Sequence, residues 1–190
     1  MVRHLATVEH ERRVTQIGAK LFDLTWPLHG LRMSDRRLLA LAAVVHDVGR
    51  AIDDRTHPEQ GARMLLEDRA LPLSGGERRA LAYLTRYHRG KVPQPGTDSI
   101  LRRGDDAQRL RGVLALLRAA DALDGRSIES PRLVFALLGR RLHVTCYLDS
   151  VTDKARRVYT RRKKFRLLEE WLDCDVDIDV VQADALLLVA

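Results

Sequence analysis

The stretch 39–50, LALAAVVHDVGR, decides how the chain is read. An unbroken apolar run from Leu39 to Val45 leads straight into a histidine and an aspartate. Ser34 is a good N-cap and Gly49 a good terminator, so the spacing predicts a helix over about 35–50. On it His46 shares a face with Leu39 and Ala42, and Asp47 follows directly. Successive helical residues point about 100° apart, so both reach one place only if it lies at the helix end. An inward carboxylate costs several kcal/mol unless it is paired or bound to an ion.

Working outward, the same anomaly recurs. Val14, Ile17, Leu21 and Leu24 predict a helix over 4–24, and His10 lies on their stripe. Pro27 and Gly30 break it. Thr56 and Glu59, with Pro58 between them, form a capping-box pattern that opens a third helix running to about Asp68. Ser74 and Glu77 open a fourth, to about His88, which follows Leu81 and Leu84 on one face. A long loop with two prolines leads to a fifth helix, about 105–124. There Asp121 is in register with Leu110, Leu114 and Leu117. Four helices thus each turn a histidine or an aspartate toward the core. One buried histidine has a bland explanation in a core hydrogen bond. Four helices doing this together point to a cation held by imidazole and carboxylate, a ligand mix that suits Mn, Fe, Co, Zn or Mg.

After about residue 128 the character changes. RLVFALLG and RRLHVTCYLD are apolar, β-rich runs meeting at Gly139–Arg140, a hairpin pattern. A charged helix over about 151–170 follows, then CDVDIDVV, which alternates as a strand does. The closing ALLLVA reads as a strand or a packed tail. The fold class is mainly α: a helical bundle over 1–128 with a small α+β appendage over 129–190.

Composition sets the boundaries. The chain has 190 residues, a net charge of +7 and 45% hydrophobic residues. That suits one core and favours acidic partners. The basic pairs and runs, Arg161–Lys164 among them, read as solvated helix faces. No apolar run reaches the length of a membrane span, and the start lacks a signal-peptide core. A cytoplasmic protein is expected, with Cys146 and Cys174 reduced. Aromatic residues are 5%, with no stacking series, which disfavours nucleic-acid binding.

The ordered set His10, His46–Asp47 and Asp121 resembles the signature of the HD superfamily of metal-dependent phosphohydrolases. LFDLTWPLHGL, AAVVHDVGRAI, RYHRGKVP and LLRAADALDGRS resemble the C-terminal HD-type domain of the exopolyphosphatase and guanosine-pentaphosphate phosphohydrolase family. Order and spacing agree from about 8 to 128, and the appendage is similar to that family's C-terminal piece. The actin-like ATPase-type domains that carry phosphatase chemistry in that family are not among these residues, so the resemblance brings the HD fold and metal site, read as a stand-alone unit.

The resemblance implies one or two divalent ions, the first held by His10, His46, Asp47 and Asp121 and the second by Asp47, His57 and His88. Such ions would activate a water for attack on phosphorus. Arg50, Arg89 and Lys91 follow ligand positions and are expected to neutralise phosphate charge, as are Arg118 and Arg126. Asp124 is expected to orient a ligand or a water, and Asp53 with Asp54 to transfer protons. The function expected is hydrolysis of a phosphate ester or anhydride in a nucleotide, an alarmone-type nucleotide or polyphosphate. The other reading is a non-catalytic module that binds a phosphorylated ligand. The hairpin and edge strands are compatible with a homodimer.

Overall fold

The computed structural model describes residues 8–94, 96–125 and 130–183, apart from the side chain of Arg162. It is mainly helical with a three-stranded sheet toward the C-terminus. Five longer helices come first: α1 Glu9–Leu24, α2 Met33–Val45, α3 His57–Glu67, α4 Gly75–Tyr87 and α5 Ala107–Leu123. Then come β1 Arg132–Leu138, β2 Arg141–Leu148, α6 Asp153–Tyr159, α7 Arg166–Leu172 and β3 Asp175–Gln182.

Helix α5 is the axis of the core. Val113, Leu114, Leu116, Leu117, Ala119 and Ala120 are buried around most of its circumference, as expected of a helix with neighbours on every side. Its small side chains let α1, α2 and α4 approach.

Several local expectations need correction. Helix α2 begins at Met33, and its cap position is Arg32, not Ser34. Asp35 accepts the Arg32 backbone N–H at 2.8 Å, and its other oxygen takes Arg109. The helix stops at Val45, before His46, and a 3₁₀ turn over Val48–Ala51 follows. The turn packs closely against α3. A Cβ on Gly49 would lie 2.1 Å from the His57 carbonyl oxygen and 2.5 Å from the Gly61 nitrogen. Thr56 does not close a capping box with Glu59: its hydroxyl and N–H both donate to Asp53, and Glu59 pairs with Arg86. Ser74 and Glu77 do form theirs, at 3.0 and 3.2 Å.

The hairpin stands as read, β1 pairing antiparallel with β2 across Gly139, whose φ is +59°. Strand β3 pairs with β2 in parallel, so the segment between them crosses over. The helix expected over 151–170 is instead α6, a 3₁₀ turn over Arg162–Lys164, and α7. Ala155 and Tyr159 form one buried stripe, Phe165, Leu168 and Leu172 another. In a continuous helix six residues rotate the chain by roughly 600°, which would place the stripes about 120° apart. The break returns Phe165 to the core. Trp171 then lies against α5, where a Cβ on Gly112 would come within 2.4 Å of its ring. The segment ALLLVA and Arg126 lie outside the described residues.

Candidate metal centre

Four imidazoles meet at the point where α2 ends. His10 comes from α1, His46 caps α2, His57 opens α3 and His88 caps α4. All four are at most 3% exposed. Their ring centroids form a chain, with 5.4 Å from His10 to His46, 5.1 Å from His46 to His88 and 5.1 Å from His88 to His57.

Each ring is held by its Nδ1. His46 Nδ1 lies 2.8 Å from the Ala43 carbonyl, His57 Nδ1 2.7 Å from that of Asp54, and His88 Nδ1 2.7 Å from that of Thr85. A carbonyl oxygen only accepts, so these three Nδ1 atoms carry hydrogens. His10 Nδ1 lies 2.5 Å from Asp124 Oδ2. In a neutral ring whose Nδ1–H is so engaged, Nε2 is a bare lone pair.

The four Nε2 atoms face inward, toward two aspartates. His10 Nε2 and His46 Nε2 lie 3.3 and 3.6 Å from Asp121 Oδ1, and His46 Nε2 lies 3.7 Å from Asp47 Oδ2. The other oxygen of Asp47, Oδ1, lies 3.1 Å from His57 Nε2 and 3.4 Å from His88 Nε2. Asp47 therefore sits between two groups, His10–His46 and His57–His88, one oxygen toward each. Within each of these groups, donor atoms from the histidines and Asp47 lie within 4.8 Å of one another.

Two observations show that the donor set suits a cation. His46 Nε2 is fully buried and makes no hydrogen bond among the described residues. His57 Nε2 and His88 Nε2 face each other at 3.2 Å although both Nδ1 atoms already hold hydrogens. Two neutral rings so arranged would oppose lone pair to lone pair. A proton or a metal ion between them removes the repulsion, and a neutral imidazole Nε2 is a common metal ligand.

The electrostatics agree. Burial pushes the Asp121 carboxyl up, but its contacts with His10 and His46 outweigh this and hold it well below the usual range. Burial likewise opposes the charge on Asp47, and His57 and His88 overcome it. Burial lowers His88, against the pull of Asp47. That lowering requires the inward nitrogens to present a positive end, as they do with a proton or a cation on them, and the carboxylates are then ionised, the state in which they bind metal.

Further partners fix the ligands in place. Asp124 is buried, and its Oδ1 accepts Arg13 Nε at 2.7 Å while Oδ2 faces His10. Burial alone would raise its carboxyl; His10 and Arg13 bring it below the usual range. This fits the expected orienting position. Arg13, one turn beyond His10, escaped the sequence reading, although its three-residue offset from His10 was the available signal. Arg50 Nε donates to Asp47 Oδ2 at 2.7 Å, and its guanidinium also meets Asp54. It is thus engaged by two carboxylates, Asp47 of the centre and the exposed Asp54.

A cleft of about 610 Å³ opens beside Asp121 and His88. Arg89, Gly90 and Arg118 lie on one side, and Arg161, Lys163 and Lys164 reach it from the turn between α6 and α7. Arg89 Nε lies 4.0 Å from Asp121 Oδ2. Arg118 donates to the carbonyls of Tyr87 and Gly90 and so ties down the turn after His88. Burial lowers Arg118, and Asp121 partly restores it. Lys91 is exposed and does not line this cleft. Asp53 is exposed and occupied with Thr56, without a hydrogen bond to the imidazoles. The three cations of the 161–164 turn are the residues that local sequence reading missed, because only the crossover brings them here.

No helix among the described residues is long and apolar enough to cross a membrane. Compared with known families, residues 1–176 match the family model described as Ppx/GppA phosphatase, domain III. No curated protein matches the chain.

Proposed function

Because the chain belongs to the Ppx/GppA phosphatase domain III family, we propose that it is a metal-dependent phosphohydrolase of the HD type acting on a phosphate ester or anhydride. One observation carries the reading: four Nδ1-anchored imidazoles aim their Nε2 atoms at two aspartates, Asp47 buried and Asp121 partly buried. In this reading His10, His46, Asp47 and Asp121 hold one divalent ion, and Asp47, His57 and His88 hold a second. Such ions supply a nucleophile by lowering the pKa of bound water and stabilise charge on the phosphoryl group.

The chain's own groups do the rest. Asp124 and the carbonyls of Ala43, Asp54 and Thr85 hold the rings in their metal-binding tautomer and orientation. Arg89, half exposed beside Asp121, is placed to meet a phosphate oxygen as it enters the cleft. Arg50 keeps Asp47 ionised and oriented. Arg118 shapes the cleft wall through backbone carbonyls.

The test is turnover. The purified protein, loaded with Mn²⁺, is assayed on bis(p-nitrophenyl) phosphate and a panel of nucleoside phosphates, with Asp47→Asn alongside. The reading expects metal-dependent hydrolysis that falls at least about a hundredfold in the variant, since a ligand and a charge are lost together. Retained metal and tight ligand binding without turnover would make the protein a binding module for a phosphorylated ligand.

A further inference from the structure

The cleft beside the centre is lined by more positive charge than one phosphate needs. Among the described residues Arg161, Lys163 and Lys164 make no ion pair and no side-chain hydrogen bond. Among the described residues their only acidic neighbour in the cleft is Asp121, which already faces His10 and His46. Lys164 is partly buried, and burial lowers its pKa, with Arg89 and Arg161 adding repulsion and Asp121 pulling the other way. Cations crowded around one carboxylate that is already engaged are less favourable in the free protein than once a further anion sits among them.

The cations stand on separate pieces of the chain. Arg89 follows His88 at the end of α4, whereas Arg161, Lys163 and Lys164 belong to the turn where the helix expected over 151–170 breaks. That turn packs against α5, the helix that carries Asp121. A phosphoryl group at the centre would be met by Arg89. The 161–164 turn is left for a group further along the same ligand.

We propose that the 161–164 turn forms a second phosphate subsite and that Lys164 is its specificity-determining residue, the group by which this chain would favour linked phosphoryl groups, a class the family resemblance already implies, over a single phosphate. The subsite deepens the reading of the adjoining centre as a phosphohydrolase site and rests on it. One phosphoryl group faces the aspartates and imidazoles, and the next lies between Arg89 and the lysines. A ligand with a single phosphate leaves the lysines unused.

The probes are methylenediphosphonate, which resists hydrolysis, and inorganic phosphate, each titrated calorimetrically into the full chain at one fixed Mn²⁺ concentration. Chelation in solution then cancels in the ratio of wild type to variant. Lys164→Gln is expected to weaken the diphosphonate about tenfold and phosphate less than twofold, with Lys164→Arg close to wild type. Arg161→Ala, at an exposed position, should weaken the diphosphonate severalfold and guards against misfolding of the Lys164 variant. Equal losses for both ligands, or no loss for the diphosphonate in either variant, would overturn the subsite. The same titrations in EDTA separate the two readings. If the wild type binds no Mn²⁺ in a direct metal titration without chelator, the metal centre fails, while a diphosphonate-to-phosphate ratio in EDTA that still depends on Lys164 upholds the subsite.

Discussion

Two buried aspartates bracket α2, and they solve the same problem differently. Asp35, at the start, is fully buried; one oxygen takes the Arg32 backbone N–H and the other meets the Arg109 guanidinium. Its partners are permanent donors. Asp47, just past the other end, is as deeply buried, but two of its neighbours, His57 and His88, present ring nitrogens whose partner atoms Nδ1 already hold the hydrogens. Whether those neighbours attract or repel a carboxylate depends on a proton or a metal. The first arrangement is complete within the protein. The second depends on what its imidazoles carry.

The largest effect expected from breaking this contrast is at Asp35. Asp35→Ala removes the buried partner of Arg109, leaving it the exposed Asp106, and the acceptor for the first turn of α2. Breaking a buried ion pair by deleting one partner costs about 3–5 kcal/mol. Arg109 is one-third exposed, so solvent recovers part of its charge and the lower end of that range is expected. Urea denaturation followed by circular dichroism measures it. Metal retention by the fraction still folded should match the wild type, because Asp35 lies at the opposite end of the helix from the imidazoles.

Asp124 tests the contrast from outside the ligand set. It meets His10 Nδ1 and Arg13 but not the inward-facing nitrogens. Asp124→Asn keeps the shape but weakens the charged acceptor that orients His10. Outer partners of metal-bound histidines are worth about 10–100-fold in affinity or activity. Competition for Mn²⁺ against a fluorescent chelator should register a loss in that range, with the circular dichroism spectrum unchanged. Unaltered affinity would mean that His10 is positioned by packing alone.

Much of this centre was legible in the sequence, for a physical reason. A polar residue on an apolar helical stripe is costly to bury, so His10, His46, His88 and Asp121 announce themselves by register. Asp47 was legible only with the added condition that the helix ends there. The structure meets that condition by stopping α2 at Val45, with Gly49 beyond it in tight contact with the His57 carbonyl. The expected helix ran on to residue 50 because no local signal marks a contact between residues 49 and 57. Arg50 was expected at a phosphate; its three-residue offset from Asp47 instead makes it a local partner of that carboxylate. The 161–164 cations read as a solvated face for the same reason the break in their helix went unseen. Both depend on α5 and the sheet, which lie far away in the chain.

The smallest expected effect sharpens the comparison most. In the metal-free protein at pH 8, Asp47→Asn removes the charged partner of Arg50, a loss. It also replaces a carboxylate oxygen facing two ring nitrogens with an amide that can donate to one of them, a gain. Each is a single hydrogen bond's worth, about 1 kcal/mol, and they oppose each other. The unfolding free energy should therefore move by about 1 kcal/mol or less. Asp35→Asn, with no lone pair awaiting a donor, should lose clearly more. If both substitutions destabilised the metal-free protein equally, Asp47 would be an ordinary structural ion pair. The imidazoles around it would then need no cation to explain them.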